Sequence, residues 1–200
     1  MNLNSKIKEI ENFGDQIDWD FHVDQVLEEK NIIYNPSLDH PIVVGIKKYA
    51  TGNKLLDCGC HVGRWSNFFM GAGFDYTGID QSSKAIATAM RLNTNAKYIN
   101  SFLWDYRTDE KYDIIVFIAV LQHNKHDEKE KILSNLSTLI KSNGVLFFTE
   151  STVDVQTTTQ YTYNQWIDFA ERHGFIFKES FHANSLGFDD HYLFVNELKN

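Results

Sequence analysis

Short apolar runs alternate with longer amphipathic ones from residue 54 onward, and this pattern predicts an α/β fold. The architecture expected is a doubly wound, mostly parallel sheet of seven strands with an N-terminal helical cap. Two further observations support it. The run Tyr112 to Ala119 (YDIIVFIA) is nearly all apolar, as a strand covered on both faces must be. The stretch D-C-G-C-H-V-G-R-W, Asp57 to Trp65, sets a glycine turn directly behind the first strand, with an acid, Asp80, closing the second.

The elements follow in order. Lys54 to Cys58 (KLLDC) is the first strand, and a helix runs from about Gly63 to Met70. Tyr76 to Asp80 (YTGID) is the second strand, and Ser82 or Ser83 caps a helix that reaches Leu92. Ala96 to Asn100 is a short third strand near an edge, and Tyr112 to Ala119 is the fourth. Asp127 with Glu130 reads as a capping box opening a helix to Lys141, which Ser142-Asn143-Gly144 ends by left-handed turning. Val145 to Thr149 (VLFFT) is a fifth, buried strand. Trp166, Ile167, Phe169 and Ala170 mark a helix over Thr162 to His173, and Phe175 to Glu179 and His191 to Val195 complete the sheet.

The 200 residues suit one domain, with residues 51–200 as the core and residues 1–50 as the cap. That N-terminal part carries Trp19, Phe21, Ile32, Ile33 and Tyr34 among charges, together with the prolines Pro36 and Pro41. It reads as a helical segment, a turn and a second helix from about Pro41 to Tyr49, folded over the ligand edge of the sheet. A formal charge of −8 without basic runs disfavours extended nucleic-acid binding. The first twenty residues lack the apolar core of a secretory signal, and no run approaches the ~20 apolar residues of a membrane span. Two cysteines two residues apart suit reduced thiols, so a cytoplasmic chain is expected.

Cys58, Cys60 and His61 invite a metal reading, but a structural zinc site needs a fourth ligand and usually C-x-x-C pairs. No second pair exists, so no metal is expected and both cysteines read as packing residues. The glycines explain the stretch better. Gly59 permits a tight turn, Gly63 lets a helix pack close to the strand, and the helix start offers unpaired amides. Asp80 stands where a carboxylate accepts both hydroxyls of a ribose. A dinucleotide fingerprint starting at Gly59 would need glycines where His61 and Arg64 stand, so a nicotinamide oxidoreductase is disfavoured.

L-L-D-C-G-C-H-V-G resembles the first-strand signature of class I S-adenosylmethionine (SAM)-dependent methyltransferases, L-D-x-G-C-G-x-G, at Leu56, Asp57, Gly59, Cys60 and Gly63. G-I-D at 78–80 resembles that family's ribose-binding strand end, and Tyr112-Asp113 with I-I-V resembles the opening of its fourth strand. V-L-Q-H at 120–123 resembles the segment after that strand, and S-N-G-V-L-F-F stands where P-G-G and strand five lie. The likeness covers residues 52 to 150. It implies a Rossmann-like fold that binds SAM and releases S-adenosylhomocysteine (SAH). The cofactor neighbours it implies are Asp57, Gly59, Cys60, His61, Gly63, Arg64, Asp80, Gln81 and Ala119, with Ser101 and Phe102 beside the adenine. Two departures stand out. His61 replaces the glycine that lets the backbone approach the methionine part, and Ser101 stands where the family carries an acid.

His123, at the mouth after the fourth strand, reads either as a base that takes a proton from an attacking hydroxyl or amine, or as a histidine capping its loop. Trp19, Phe21 and Tyr34 read as an aromatic lid or as core, and Tyr161, Tyr163 and Trp166 as acceptor-pocket lining or core. The resemblance implies methyl transfer to an oxygen or nitrogen of a small-molecule or glycan-like acceptor. A non-catalytic SAM/SAH-binding module and an RNA-end or tRNA methyltransferase stay open beside it. The absence of an N-P-P-Y type segment weakens adenine and glutamine-amide acceptors.

Overall fold

The structure, a computed structural model, describes residues 18–28, 33–35, 38–153, 157–182 and 191–198. The expectations placed on the chain before residue 18, on Ile32 and on Pro36 lie outside the described residues. Seven strands among those described form one sheet: β1 (Lys54–Cys58), β2 (Asp75–Asp80), β3 (Lys97–Asn100), β4 (Tyr112–Ile118), β5 (Ile140–Ser151), β6 (Phe175–His182) and β7 (His191–Leu198). Their order is β3-β2-β1-β4-β5-β7-β6. The first five run parallel, and β7 is antiparallel to both β5 and β6. The order reverses between β1 and β4, and in folds of this kind ligands bind at the carboxyl ends of the two strands that flank such a reversal.

Strand alternation divides the core into two layers. Leu55, Ile114, Val116, Val145 and Phe147 face helices α2 (Pro41–Tyr49), α3 (Ser66–Gly71) and α4 (Ser83–Leu92). Leu56, Ile115, Phe117, Leu146 and Phe148 face α5 (His126–Leu136) and α6 (Tyr163–Arg172). Trp166 and Phe169 of α6 are fully buried, which makes them core. No helix among the described residues is long and apolar enough to cross a membrane.

Three expectations about elements are corrected. The helix after the first strand begins at Ser66 and not near Gly63, because His61 (φ 49°) and Gly63 (φ 76°) both turn left-handed and no helix can run through them. α5 opens two residues early, where the Glu128 carboxylate accepts the Lys125 N–H at 2.8 Å. Glu130 is held elsewhere, by Arg172 (2.7 Å) and His173 (2.8 Å) at the end of α6. The same helix stops at Leu136, and Asn143-Gly144 do not end it. Ile140 already pairs with Tyr112, and the register slips over residues 141–144 before Val145 pairs with Ile114. Asn143 is left-handed, as its residue type allows, but in that irregularity (φ 61°). Lys141 there reaches Asp113 at 2.9 Å.

The two N-terminal helices part company. α2 starts at Pro41, with the His40 ring accepting the Ile42 N–H at 3.3 Å, and buries Ile42, Val43 and Ile46 against the sheet face formed by Val145, Phe147 and Val195. It is therefore a layer helix and does not fold over the ligand edge. The other, α1 (Trp19–Leu27), begins at Asp18, whose carboxylate accepts the Asp20 and Phe21 amides at 3.1 Å. Its Val23 and Val26 pack on Val62 of the glycine turn and Ala85 of α4.

Candidate active site

The turn behind β1 is knitted to the end of β2. The Gly59 and Cys60 amides both donate to the Ile79 carbonyl, at 2.8 and 3.0 Å, and the His61 amide donates to the Asp80 carboxylate at 2.9 Å. Gly59 has φ 77°, and a Cβ there would lie 2.7 Å from the Val120 side chain, so only glycine lets the β1 and β4 exits touch. Cys58 and Cys60 are buried, and Cys60 packs with Leu55, Phe68 and Tyr76. Burial pushes both thiols well up, which keeps them protonated and inert.

Asp57 lies beneath the turn, where the Tyr76 hydroxyl donates to its carboxylate at 2.8 Å. Burial raises its pKa to about 7 against that hydrogen bond, and the neighbouring Asp80 adds to the rise. Asp57 is thus turned into the sheet and props the turn from below. Asp80 is nearly buried; its other oxygen accepts the Ser82 amide at 2.8 Å. Burial raises this carboxyl too, while the amides of Ser82, His61 and Gln81 oppose the rise.

Beyond Asp80 the chain is tied by Asn100, whose side-chain amide donates to the carbonyls of Asp80 (3.0 Å) and Gln81 (2.9 Å). The Gln81 side is exposed. The Ser101 amide donates to the Asp80 carbonyl at 3.0 Å and its hydroxyl to the Phe102 carbonyl at 3.1 Å. Phe102 is half exposed and stacks on Trp104 with ring centroids 4.9 Å apart. Arg64 turns to the N-terminal segment: its carbonyl accepts the Tyr34 amide at 2.9 Å and its guanidinium lies 3.4 Å from the Tyr34 hydroxyl.

At the β4 exit, Ala119 is left-handed (φ 55°) while its amide still pairs with the Thr149 carbonyl at 2.8 Å. A single 3-10 turn, Leu121–His123, follows. Its leading amides converge on the fully buried Glu150 of β5, at 3.2 Å from Val120, 2.8 Å from Leu121 and 3.0 Å from Gln122. Burial raises the Glu150 pKa to about 7 against those hydrogen bonds.

α1 closes over both exits. The Trp19 ring meets His61 edge-on at 6.4 Å and His123 at 5.4 Å, and His22 meets His61 at 5.3 Å. Asp20 hydrogen-bonds the Ser82 hydroxyl, and Asp24 pairs with Lys84 at 2.7 Å. Burial, helped by the His22 ring, holds the His61 pKa down to about 4, so its imidazole is neutral at pH 7. Phe21 is exposed and Tyr34 packs at a tilt on Trp65 with ring centroids 4.5 Å apart, so of the three aromatics named for a lid only Trp19 reaches the exits.

A family model described as a methyltransferase domain matches residues 41–186. The chain belongs to this family. Among curated proteins it is similar to ubiquinone biosynthesis O-methyltransferases from Pasteurella multocida (31% identical; 49% of this chain, 46% of that protein) and Glaesserella parasuis (35% identical; 48% and 44%). The match therefore spans less than half the length of those relatives. In fold it is similar to a TehB-like SAM-dependent methyltransferase from Corynebacterium glutamicum (TM-score 0.62, 18% identical, 98% of this chain and 96% of that chain). It is similar also to magnesium protoporphyrin IX methyltransferase from Synechocystis PCC 6803 with bound SAM (TM-score 0.65, 18% identical, 90% and 79%). The family's cofactor is SAM.

In this methyltransferase domain the structure brings Gly59, His61, Asp80, Ala119 and His123 to one edge, and turns Asp57 and Cys60 inward. Glu150 and Asn100 escaped the sequence reading. A signal for Glu150 existed: it is a lone acid closing the apolar strand V-L-F-F-T-E, at the carboxyl edge where ligands sit. Asn100 carried none, since an asparagine at a strand end is ordinary turn chemistry.

Proposed function

We propose that this chain transfers the methyl group of SAM to an oxygen of a small-molecule acceptor, with His123 as the general base. The observation that carries the reading is Trp19, whose ring lies against both His61 and His123. The glycine turn and the candidate base are thereby one side chain apart, at the switch point of the sheet. The similarity to O-methyltransferases favours oxygen as the acceptor atom.

The residues present fit the cofactor. Nε2 of His61 is buried and has no hydrogen-bond partner among the described residues, so the polar amino-acid end of SAM would satisfy it. Asp80 would accept the ribose hydroxyls, and the exposed Phe102 face offers adenine a stacking partner beside Ser101. His61 then accounts for the missing glycine, because its neutral ring offers a polar contact where the family's glycine lets the backbone approach.

SAM supplies a methyl group already made electrophilic by its sulfonium. What the protein adds is in-line placement, exclusion of water and removal of one proton. His123 takes the acceptor's proton as the oxygen attacks. α1, seated on Val62 and Ala85, is the proposed lid of a single domain.

Two measurements test this. SAH should raise the melting temperature of the wild type, and Asp80→Ala should abolish that rise. Radiolabelled SAM should label a phenol or catechol in a small-molecule panel, and His123→Asn should reduce labelling by about 10²-fold or more. SAH binding without labelling of any acceptor would instead favour a non-catalytic cofactor-binding module.

A further inference from the structure

Glu150 is a fully buried carboxylate at the end of an apolar strand, and the chemistry described so far gives it no task. Burying a carboxylate is expensive unless hydrogen bonds replace its water. Here backbone amides replace it. Oε1 accepts from Val120 and Leu121, and Oε2 from Gln122. These are the amides that the start of a helical turn leaves without partners, and the turn in question carries His123. The nearby cation acts on the carboxylate through its charge and makes its hydrogen bonds elsewhere. Lys129 of α5, also fully buried, donates its ammonium to the carbonyls of Asn124 and Thr159, and so ties the chain after His123 to the loop after β5.

The next residue of β5 continues the hold. The Ser151 amide donates to the Gln122 side-chain oxygen at 2.6 Å, and the Gln122 amide nitrogen lies 3.4 Å from Nε2 of His123. Gln122 is therefore gripped twice, by its backbone through Glu150 and by its side chain through Ser151. The ring of His123 thus touches both that grip and the Trp19 ring.

We infer that Glu150 is a positioning residue that sets the His123 imidazole by clamping the backbone of residues 120–122. The inference deepens the proposed function and rests on His123 being its base. A carboxylate suits the clamp because three N–H donors need acceptors on both oxygens. In Glu150→Gln one terminus becomes an NH₂ facing an amide N–H, so at least one of the three bonds is lost and the turn is released.

The test uses the full chain and reads the ring directly. Ring carbon–proton NMR signals of the histidines are recorded for the wild type and Glu150→Gln, with His123 assigned through His123→Asn. The clamp predicts a displaced or broadened His123 signal, with His40 and His173 unmoved. It predicts a fall in kcat of about 10- to 100-fold with SAH affinity within about twofold of wild type, the split of a group acting on the chemical step alone. An unmoved His123 signal overturns the inference, as does SAH affinity falling in step with kcat. If the wild type methylates nothing, the proposed function fails while the NMR comparison still decides the clamp. Should Glu150→Gln not fold, amide hydrogen exchange in the wild type decides. Val120, Leu121 and Gln122 should be protected at the level of the β5 core, and exchange at the rate of an unprotected peptide amide would refute the clamp.

Discussion

The two strand exits that face each other across the switch point, 59–63 after β1 and 119–123 after β4, are built on one plan. Each holds a left-handed residue that is not glycine, His61 or Ala119. Each is held by a carboxylate from the next strand outward: Asp80 of β2 takes the His61 and Ser82 amides, and Glu150 of β5 takes those of residues 120–122. They differ in exposure. Asp80 keeps 8% of its surface and Glu150 none. An acid that still touches the crevice can bind a ligand and hold a turn at once, whereas a sealed one can only hold. Under the proposed function the same device would serve recognition on one side and orientation on the other.

The largest effect should come from the place where the exits meet. Gly59→Ala puts a Cβ into Val120 and a side chain on a left-handed backbone, so a loss of about 2–4 kcal/mol is expected by denaturant unfolding. Val120→Ala should recover part of that loss when combined with it, and failure to recover any would mean that the two exits are not packed together.

Next comes the buried acid beneath the first exit. The folded pKa of Asp57, about 7, lies above its ordinary value of 3.8, so the native state keeps a proton that the unfolded chain releases. Its contribution therefore weakens native stability as pH rises from about 4 to 7. Asp57→Asn should remove that dependence and gain on the wild type across the window, by on the order of 1–3 kcal/mol, levelling above pH 7. His61 works in the opposite sense. Its folded pKa, about 4, lies below 6.5, so stability is lost as pH falls from 6.5 towards 4. His61→Asn, which tolerates the left-handed turn, should gain on the wild type over that acid range by about 1–2 kcal/mol, measured by thermal unfolding at stepped pH.

Of these features the first exit was legible in the sequence together with its acid, whereas at the second only Ala119 and the V-L-Q-H segment were legible and the acid that holds that segment was not. Glycines at 59 and 63 and an acid at 80 carry a backbone requirement in their spacing, and a strand end is close to its own turn. The grip of Glu150 on residues 120–122 joins positions thirty apart, and a buried acid looks no different in a string from an exposed one. The parallel strands were readable because burial on both faces leaves unbroken apolar runs. The end of α5 was misplaced because an asparagine such as Asn143 turns left-handed in a strand irregularity as readily as in a helix stop. The route of the N-terminal segment was half readable. Pro41 fixed where α2 starts, but nothing local tells a helix on the sheet face from one across its edge.

The smallest effect concerns the lid. Trp19→Ala removes the ring that spans both exits while leaving Val23 and Val26 in place, so stability should hardly change. SAH should then dissociate about 3- to 10-fold faster by stopped-flow fluorescence or displacement, and an unchanged off-rate would show that α1 is no lid.

The contrast between the two acids is tested most directly by calorimetric titration of SAH into wild type, Asp80→Ala and Glu150→Gln side by side. Binding to the wild type, none to Asp80→Ala and an unchanged affinity in Glu150→Gln is the predicted pattern. Equal loss in both variants, or retained binding in Asp80→Ala, would contradict the assignment of recognition to one exit and orientation to the other.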